Sequence, residues 1–475
     1  MLVGCRNTFG SSWTKLYLAV ILFLVIRDNQ NRVEALPPGF RDEGVVREKQ
    51  TVGFNFIPNI DDPSKHMLLT TRKKGKIMAV LDSDLADDKS PVIEVLDIED
   101  KVCTDGERGV YQVLPHPDFI YNRYVYVFFT YDKNGGCEFS PTDGPVNAVA
   151  RYKLKGSTDG TTNQLRLEDE QIIFMSNPLP SKVHNGGDMK FGNDGYLYVT
   201  LGNGGLSVEY GNAQKANTLL GSIVRITDDG GIPYDNPFQG PYDEPCGKDG
   251  RILSKWGRCS EIWATGLRNP FRFALDPNVK KRTRFYVNDV GGSFFEEVNL
   301  MTGDRGGQNY GYREREGPCY RMSNTDCEPQ TIYTDPIYWY EHVNRTDAAL
   351  TGGAFVPNGI WPDHYDGKYL IADYVFRTIS LLEEDETMLC RDCTPPLPGF
   401  SKSLFRNLTD IGQPLQMTFG PYKDSLALYY RYVQTKANKF GLDLMKQNIL
   451  SDVSALTNTL YTGTHYSFIF CSNIL

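Results

Sequence analysis

The chain has 475 residues, of which 40% are hydrophobic and 23% are charged, and its formal net charge is −9. This apolar content supports a sizeable core and excludes a globally disordered chain. The acidic balance and the lack of a basic block argue against a nucleic-acid surface, so no nucleic-acid partner is expected. The length suits one large all-β barrel or propeller, and 28 Tyr, 25 Phe, 45 Gly and 27 Pro favour many strands joined by turns.

The N-terminal segment has the features of a secretory leader. Arg6 and Lys15 accompany an apolar run over residues 16–26, which is too short to span a bilayer. Small or medium residues at 33–35 fit a cleavage site, so residues 1–35 are predicted to be a signal peptide. An uncleaved membrane anchor is the alternative. No second long apolar run follows in the sequence, so we expect a secreted, extracellular chain without stable membrane insertion.

The cysteines agree with export. Cys5 and Cys471 lie near the two ends of the chain, and local disulfide pairing is the expectation for the other eight, which are Cys103/Cys137, Cys246/Cys259, Cys319/Cys327 and Cys390/Cys393. A zinc site is the competing interpretation, and it is weak because the sequence has a single CxxC motif. Asn344 and Asn407 each begin a glycosylation acceptor motif, as expected for a secreted glycoprotein.

After the leader, one β unit recurs along the chain. It consists of an apolar residue, a turn with Pro or Gly, a short polar insert and an aromatic-rich strand. The six units begin near Phe54, Leu114, Phe191, Ala274, Phe355 and Phe419. No helical periodicity separates them, so the sequence predicts an all-β, six-bladed β-propeller with four-stranded blades.

The predicted propeller covers residues 36–440. The units are spaced more widely than the about 40–50 residues of compact blades, so cysteine-bearing loop inserts are expected between strands. A two-domain β-sandwich protein is the alternative, although no linker rich in Pro, Ser or Gly divides the chain. Residues 441–475 fit the repeat poorly and are predicted to be a C-terminal tail, with a possible helix over 436–456.

Several turn motifs contain residues that could take part in catalysis or ligand binding. His184 stands beside Gly186 and Gly187 just before a predicted strand, which by residue types alone is typical of an ordinary loop histidine. The other motifs are Asp105-Gly106-Glu107-Arg108-Gly109, Gly202-Asn203-Gly204-Gly205, Gly266-Leu267-Arg268-Asn269-Pro270 and Asp289-Val290-Gly291-Gly292. Equivalent loops of a propeller converge at one channel mouth, so these groups are expected to share a pocket.

In their order along the chain, these motifs resemble those of the soluble quinoprotein sugar dehydrogenases. This glucose/sorbosone dehydrogenase-like group includes the aldose sugar dehydrogenases, and hedgehog-interacting-protein-like secreted proteins share the domain. The resemblance covers about residues 54–430. It is carried by Glu-Arg-Gly-Val, His-Pro-Asp-Phe, His-x-Gly-Gly, Phe-Gly-x-Asp-Gly-x-Leu-Tyr, Gly-Leu-Arg-Asn-Pro, Glu-Val-Asn-Leu and Gln-Asn-Tyr-Gly-Tyr. A six-bladed propeller is the fold that it implies.

The resemblance also implies an activity, which is oxidation of the C1 hydroxyl of aldoses by hydride transfer to pyrroloquinoline quinone (PQQ). His184 falls on the position of the catalytic base, and a neutral imidazole suits proton abstraction near neutral pH. Arg268 falls on the cation that polarises the quinone oxygens, with Asn269 beside it as a second cofactor contact. An external electron acceptor would complete the cycle.

The remaining positions implied by the resemblance concern the metal and the substrate. Gly291 and Gly292 match residues whose backbone carbonyl oxygens hold calcium, an ion that prefers hard oxygen ligands. Glu107 matches a position that contacts the sugar substrate or the cofactor. PQQ would provide the redox chemistry, while the protein would hold and orient it.

The sequence departs from the family at the support of the histidine and at the late cations. The family's enzymes use an aspartate where this chain has Asn203, which can orient the imidazole but cannot stabilise its charged form. Val375, Gln413 and Leu415 align near three late cations that bind the cofactor, and Arg377 is the nearby cation. A catalytically inactive secreted propeller that binds protein or carbohydrate is therefore the alternative, and a calcium-dependent propeller hydrolase is a third reading.

Overall fold

A computed structural model describes most of the chain between the first and last strands. The described residues are 40–46, 51–81, 90–158, 164–205, 211–320, 326–327, 331–342, 348–383, 400–407, 412–434 and 439–447. The predicted signal peptide at 1–35, the Cys390/Cys393 pair and the acceptor Asn344 lie outside this part of the chain.

Antiparallel sheets of four strands make up the described fold, and there are six of them. Sheet one contains β2 to β5, which are Thr51–Pro58, His66–Arg72, Lys76–Val80 and Val92–Asp97. Sheet two contains β6 to β9, which are Val110–Pro115, Tyr124–Tyr131, Val146–Lys155 and Arg166–Met175. Sheet three contains β10 to β13, which are Met189–Phe191, Leu197–Leu201, Ser222–Ile226 and Ile262–Thr265.

The second half of the chain continues the same pattern. Sheet four contains β14 to β16 and β19, which are Pro270–Leu275, Arg284–Asp289, Phe295–Thr302 and Tyr338–Glu341. Sheet five contains β20 to β23, which are Leu350–Phe355, Tyr369–Asp373, Thr378–Glu383 and Phe400–Asn407. Sheet six contains β24 to β26 with β1, which are Gln413–Tyr422, Ser425–Gln434, Lys439–Gln447 and Phe40–Val46.

Three kinds of small element complete the described structure. Strands β17 and β18 form a two-stranded ribbon between β16 and β19, Arg315–Glu316 with Cys319–Tyr320. One short helix, α1, spans Phe119–Asn122, and three 3₁₀ turns span Glu99–Lys101, Asn212–Gln214 and Asp363–Tyr365. Among the described residues, none of these helices is long and apolar enough to cross a membrane.

The sheets are arranged in a ring around a channel. The innermost strands are β2, β6, β10, β14, β20 and β24, one from each sheet. Neighbouring innermost strands contact one another, as β2 does with β6 and β24, and β20 with β14 and β24. Each of the six repeat units recognised in the sequence begins within the innermost strand of a different sheet and continues into the next strand of that sheet. The prediction of an all-β propeller is confirmed.

The ring closes through a strand that sequence reasoning missed. Strand β26 pairs with β25 on one side and with β1, from the other end of the chain, on the other side. The prediction of a helix over 436–456 is therefore wrong for the part the structure describes as β26, and the predicted boundary after residue 440 falls inside this strand. Pairing with a segment about 400 residues away leaves no local sequence signal, since it is decided by tertiary contact.

The core lies between neighbouring sheets. All five residues of β11 and all five of β12 are buried, because sheet three is covered on both faces by sheets two and four. Each fully buried Val, Leu, Ile or Phe in such a strand stabilises the fold by about 1.5–3 kcal/mol relative to an exposed one. Gly195 makes the hairpin before β11 possible, since its φ of 80° is unfavourable for other residues.

Three of the predicted disulfides are present. Cys103–Cys137, Cys246–Cys259 and Cys319–Cys327 join residues separated by 34, 13 and 8 positions. Cys319 belongs to β18, and the other five cysteines lie in loops between strands. Local pairing of these six cysteines is confirmed.

Removing Cys246–Cys259 is expected to destabilise the insert between β12 and β13. The double variant Cys246→Ala/Cys259→Ala should lower the free energy of unfolding by about 2–4 kcal/mol, because the bond restricts the unfolded chain and both cysteines are fully buried. Equilibrium denaturation in urea would measure this, with Ser254→Ala in the same exposed insert as the control. A midpoint and slope equal to those of the control would show that the bond contributes nothing.

Candidate active site

The loops that carry the predicted site residues meet at one end of the ring. Glu107 precedes β6, His184 precedes β10, and Arg268 with Asn269 precedes β14. These are the innermost strands of neighbouring sheets, so their starting ends surround one opening of the channel, which we call the site mouth. Asn203 joins them because β11 runs antiparallel to β10 and returns to this opening.

His184 adopts a backbone conformation that the neighbouring loops hold in place. Its φ is 55°, in the left-handed region that residues other than glycine seldom adopt. Its N–H donates to Oε2 of Glu107 at 2.8 Å, and its carbonyl oxygen accepts the N–H of Gly204 at 3.0 Å. A Cβ at Gly202 would lie 2.0 Å from that carbonyl oxygen, so the close approach requires glycine. Strained backbone of this kind concentrates at functional sites.

Asn203 determines which ring nitrogen of His184 carries the proton. Asn203 is fully buried, and its Oδ1 accepts the N–H of Gly205 at 2.9 Å, which identifies this atom as the oxygen. Nδ1 of His184 lies 3.0 Å from the same oxygen, so Nδ1 must be the donor. The neutral imidazole consequently has its lone pair on Nε2, which is the nitrogen able to accept a proton.

The surroundings keep His184 uncharged. Burial lowers its pKa to about 4, the positive charge of Arg268 acts in the same direction, and the hydrogen bond to Asn203 opposes both. Because this pKa lies below its ordinary value of 6.5, the imidazole stays neutral at pH 7 and takes up a proton only as the pH falls toward 4. An amide at position 203 thus orients the ring without adding charge.

Replacing Asn203 with aspartate is expected to raise the pKa of His184. A carboxylate in hydrogen-bond contact with Nδ1 favours the imidazolium, and an opposite charge at this range moves a pKa by about 1–3 pH units. Histidine-labelled NMR titration would resolve the change, since the chain has six histidines. Asn193→Asp, in an exposed turn, is the control. An identical His184 titration in wild type and Asn203→Asp would contradict the proximity described above.

Glu107 connects sheet two to the His184 loop. Burial raises the pKa of its carboxyl group, while backbone N–H groups of His184 and Asn185, the charge of Arg268 and the amide of Asn269 lower it. The residue keeps exposed surface although these donors enclose its carboxyl group. Glu107 therefore lies at the boundary between the protein and the channel opening, where a bound molecule would touch it.

Asp289 positions Arg268 and Asn269 through their backbone. Its Oδ2 accepts the N–H of Arg268 at 2.9 Å, and its Oδ1 accepts the N–H of Asn269 at 2.6 Å. Asn269 Oδ1 then accepts the N–H of Gly186 at 2.9 Å, and Arg268 Nη1 donates to the carbonyl oxygen of Val290 at 2.9 Å. Burial raises the pKa of Asp289 to about 7. One hydrogen-bonded network thus joins the predicted base to the predicted cofactor residues.

Gly291 and Gly292 lie in a loop that wraps around a buried carboxylate. The N–H groups of residues 292–295 all donate to Oε1 of Glu316, at 2.7–3.1 Å. The carbonyl group of a trans peptide points opposite to the following N–H, so the carbonyls of Gly291 and Gly292 point away from Glu316. A Cβ at Gly291 would lie 1.6 Å from the Phe295 carbonyl oxygen. No donor among the described residues bonds to these two carbonyl oxygens. Two adjacent carbonyl oxygens of this kind suit calcium, so the residues fit the predicted metal role.

The residues around His184 also suit a quinone. Arg268 provides a half-buried guanidinium beside the histidine. Two buried polar atoms of the same loops, Nδ2 of Asn203 and Oδ1 of Asn185, have no hydrogen-bond partner among the described residues. Buried polar atoms without partners are costly, and a ligand with carbonyl oxygens and N–H groups could satisfy them.

Val375, Gln413 and Leu415, which align near the late cations of the family, lie near the ends of strands β21 and β24. Val375 and Phe376 lie in the turn after β21, at the site mouth, and expose 40% and 37% of their surface. Arg377 comes directly after Phe376 and has a φ of 58°. Gln413 and Leu415 belong to the start of β24. The turn on this side of the mouth therefore exposes two apolar side chains near a place where a cofactor's carboxylates would meet a cation in the family pattern.

Sequence reasoning missed two contributors to the mouth. Lys73, in the turn between β3 and β4, donates from Nζ to the Gly106 carbonyl oxygen at 2.6 Å, and burial lowers its pKa. Glu316 organises the predicted metal loop from a separate ribbon. The Lys-Lys-Gly turn was visible in the sequence, but such turns are ordinary on surfaces. No local signal marks Glu316, because its partners lie more than 20 positions away.

Comparison with known proteins decides the family. A family model described as Glucose / Sorbosone dehydrogenase matches residues 52–393, well over half of the chain. The chain belongs to this family. The match covers every residue of the site mouth described above except those at the start of β24.

Among curated relatives, this member of the glucose/sorbosone dehydrogenase family is similar to the HIPL2 protein of Arabidopsis thaliana. The two are 31% identical over 387 residues, which is 70% of this chain and 52% of that protein. Aldose sugar dehydrogenase YliI of Escherichia coli is 29% identical over 213 residues, 44% of this chain and 47% of that one. Human hedgehog-interacting protein is 23% identical over 290 residues, 60% of this chain and 36% of that one. The chain spans about half the length of the curated relatives it matches first.

Solved structures agree on the fold. The apo form of the soluble aldose sugar dehydrogenase from Escherichia coli superimposes with a TM-score of 0.63 at 20% identity, covering 86% of this chain and 99% of that chain. The PQQ-bound form of the aldose sugar dehydrogenase from Streptomyces coelicolor gives a TM-score of 0.60 at 19% identity, covering 87% and 99%. At these identities the likeness establishes the propeller fold alone.

Proposed function

We propose that this family member is a secreted quinoprotein oxidoreductase that acts on CH–OH donors and oxidises the C1 hydroxyl of aldose sugars. The observation that carries the proposal is the state of His184. Its Nδ1–H is held by Asn203, its pKa of about 4 keeps it neutral, and its basic Nε2 is free to receive a proton. The family match and the disulfides, which form in oxidising compartments, support the activity and the extracellular location.

In the proposed reaction His184 is the general base. Nε2 takes the proton of the C1 hydroxyl, a step that a positioned base accelerates by about 10²–10⁴-fold. Asn203 keeps the ring in the required tautomer throughout, and Glu107 holds the backbone of His184 while its carboxyl group faces the bound sugar. The nearby Arg268 disfavours a charged imidazole, so the proton is released readily afterwards.

Arg268 and Asn269 would hold PQQ, with Asp289 fixing both of them, and the carbonyl oxygens of Gly291 and Gly292 would hold calcium. When bound, PQQ supplies the acceptor for the hydride that leaves C1. An external electron acceptor would be needed to complete the cycle. The apolar turn at Val375 and Phe376 replaces part of the family's cationic contact, so cofactor affinity rests more heavily on Arg268.

An absorbance titration with PQQ and calcium tests the proposal without knowledge of the sugar. Purified protein should show a saturable spectral change that depends on calcium, and the reconstituted protein should reduce a redox dye when aldoses are supplied. Arg268→Met should weaken cofactor binding, whereas Arg282→Met, an exposed arginine of the opposite end, should not. Absence of both cofactor binding and dye reduction would overturn the assignment.

A second function is favoured by a different observation. Three apolar side chains at the site mouth are exposed to solvent, Val183 by 39%, Val375 by 40% and Phe376 by 37%, and Val375 lies near a position where the family pattern has a cation. A propeller that has lost its redox chemistry and binds an extracellular protein or carbohydrate would keep such a surface. Under this alternative, Phe376→Ser would abolish partner binding and His184→Ala would leave it unchanged. The enzyme proposal expects the opposite ranking for dye-linked oxidation.

A further inference from the structure

A second cavity lies at the end of the channel opposite the site mouth. Its volume is about 500 Å³, and it is formed where the innermost strands end. All six sheets contribute to its wall through Pro58, Pro115, Phe191, Leu275, Phe355 and Phe419. Cavities of roughly 300–1,000 Å³ with mainly apolar walls are the usual dimensions of small-molecule sites. The motifs of the active site do not reach this region, so the proposed oxidation leaves the cavity without a role.

The wall of this cavity is rigid and mainly apolar, and Asn55, Gln416 and Thr418 are among its polar side chains. Five prolines line it, each with a fixed φ, together with phenylalanine, leucine and methionine side chains. The prolines are Pro58, Pro115, Pro117, Pro277 and Pro357. Ile120, on helix α1 at the rim, is 54% exposed and extends the apolar surface outward. A ligand that fills this space needs a substantial apolar body.

The innermost strands contain more positively charged than negatively charged side chains. Of the six strands that form the channel wall, β10 contributes Lys190 and β14 contributes Arg272, and the other four contain no charged residue. One fully buried carboxylate, Asp188, stands just before β10 and pairs with Lys190 at 2.9 Å. Asp188 is already satisfied by three further donors, the Gln112 amide and the N–H groups of Met189 and Phe273.

Arg272 accounts for the excess charge. Its guanidinium is fully buried and donates to the carbonyl oxygens of Gly187, Val52 and Tyr111, while its Nε has no partner among the described residues. Two cations thus face one carboxylate within the channel wall. Buried charge of one sign favours an anion nearby, and Lys190 is the charged residue that lines the cavity itself.

His116 lines the cavity as a ring whose polar atoms face neighbouring protein groups. Its Nδ1 accepts the N–H of Asp118 at 2.9 Å, so the neutral ring has its proton on Nε2. Burial lowers the pKa of His116, and Asp228, 3.6 Å from Nε2, opposes this effect. The cationic donor that the lining offers to a ligand is therefore Lys190, which matches the oxygen atoms of an acid group.

We propose that this opposite-end cavity binds an amphipathic carboxylate, with its aliphatic body against the proline and phenylalanine wall and its carboxylate on Lys190. The apolar wall excludes sugars and other highly hydrated molecules, because they would lose water without compensation. The net positive charge of the channel wall selects an anion over a neutral or cationic amphiphile of equal length. The site is separate from His184 and is independent of any redox activity.

Isothermal titration calorimetry with decanoate tests this assignment on the purified full-length protein. Decanol and decyltrimethylammonium serve as neutral and cationic ligands of the same chain length, all below their micelle-forming concentrations. Wild type and Lys153→Met, an exposed control lysine, should bind decanoate with one saturable site. Lys190→Met should weaken decanoate binding by at least about 10-fold, because a charge-assisted hydrogen bond is lost.

A second variant guards against a Lys190 variant that fails to fold. Thr418→Trp places a large side chain from β24 into the cavity and leaves Lys190 and Asp188 intact. It should abolish decanoate binding while the unfolding midpoint stays close to that of wild type. The proposal is overturned if wild type shows no saturable binding, if decanol or decyltrimethylammonium binds as tightly as decanoate, or if the folded Thr418→Trp variant binds as wild type does.

Discussion

His184→Gln is expected to lower sugar-dependent dye reduction by about 10²–10⁴-fold, the range that a positioned general base contributes. Glutamine can still donate a hydrogen bond toward Asn203, so the loop should keep its conformation. It cannot accept a proton at neutral pH, however, and the basic Nε2 is lost. The loss should appear in kcat with little change in KM, because the proton is transferred in the transition state.

The control for this prediction is His364→Gln, which alters an exposed histidine in a 3₁₀ turn far from the site mouth. Its activity should equal that of wild type. The acid side of the wild-type pH profile provides an independent check, since activity should persist below pH 6.5 and decline only toward about pH 4, where His184 takes up a proton. Full activity in His184→Gln would remove this residue from the reaction.

Glu316→Ala is expected to be the most destabilising single change at the site mouth. Glu316 is buried, and its Oε1 accepts four backbone N–H groups from residues 292–295. Alanine leaves these donors without an acceptor, and each unsatisfied buried donor costs about 1–3 kcal/mol. Because the start of the loop reaches solvent and can recruit water, we expect a total loss of about 3–5 kcal/mol in the free energy of unfolding.

Urea denaturation would measure this loss of stability. Two further variants serve as a comparison and a control. Glu316→Gln keeps an oxygen acceptor and should lose clearly less stability than Glu316→Ala. Glu314→Ala changes an exposed glutamate two positions away and should leave stability within about 0.5 kcal/mol of wild type. Calcium binding should weaken in Glu316→Ala, because the carbonyls of Gly291 and Gly292 would no longer be held in one orientation. Equal stability of all three variants would contradict the role assigned to Glu316.

Much of the fold was predictable because each unit carries a local signal. Pro or Gly turns followed by aromatic and β-branched runs marked the strand that follows the innermost strand in the sheets, and close cysteine pairs identified three disulfides. The last strand was missed although Phe440, Leu442 and Leu444 alternate with polar or small residues, a pattern that favours a strand. Its pairing with β1, from the other end of the chain, could not be predicted, because tertiary contact alone brings these two segments together.

The predicted site residues divide in the same way. His184, Arg268 and Glu107 could be named from motifs, since their turns have composition that ordinary strands lack. The hydrogen bonds that join these residues could not be predicted from the sequence. Asn203 sets the tautomer of His184 through a hydrogen bond across the end of sheet three. Asp289 holds the backbone of Arg268 because β14 pairs with β15.

The sequence by itself determined the family, the repeated β architecture and which turn motifs to consider for a site, including those of His184, Arg268 and Glu107, because these follow from short-range patterns of residue type. Only the tertiary structure decided how the ring closes, which nitrogen of His184 is basic, how Glu316 orients the glycine carbonyls, and that Lys190, Asp188 and Arg272 leave the channel wall with excess positive charge. The physical reason is that protonation state and charge balance depend on burial and on partners distant along the chain, which the ring alone brings together.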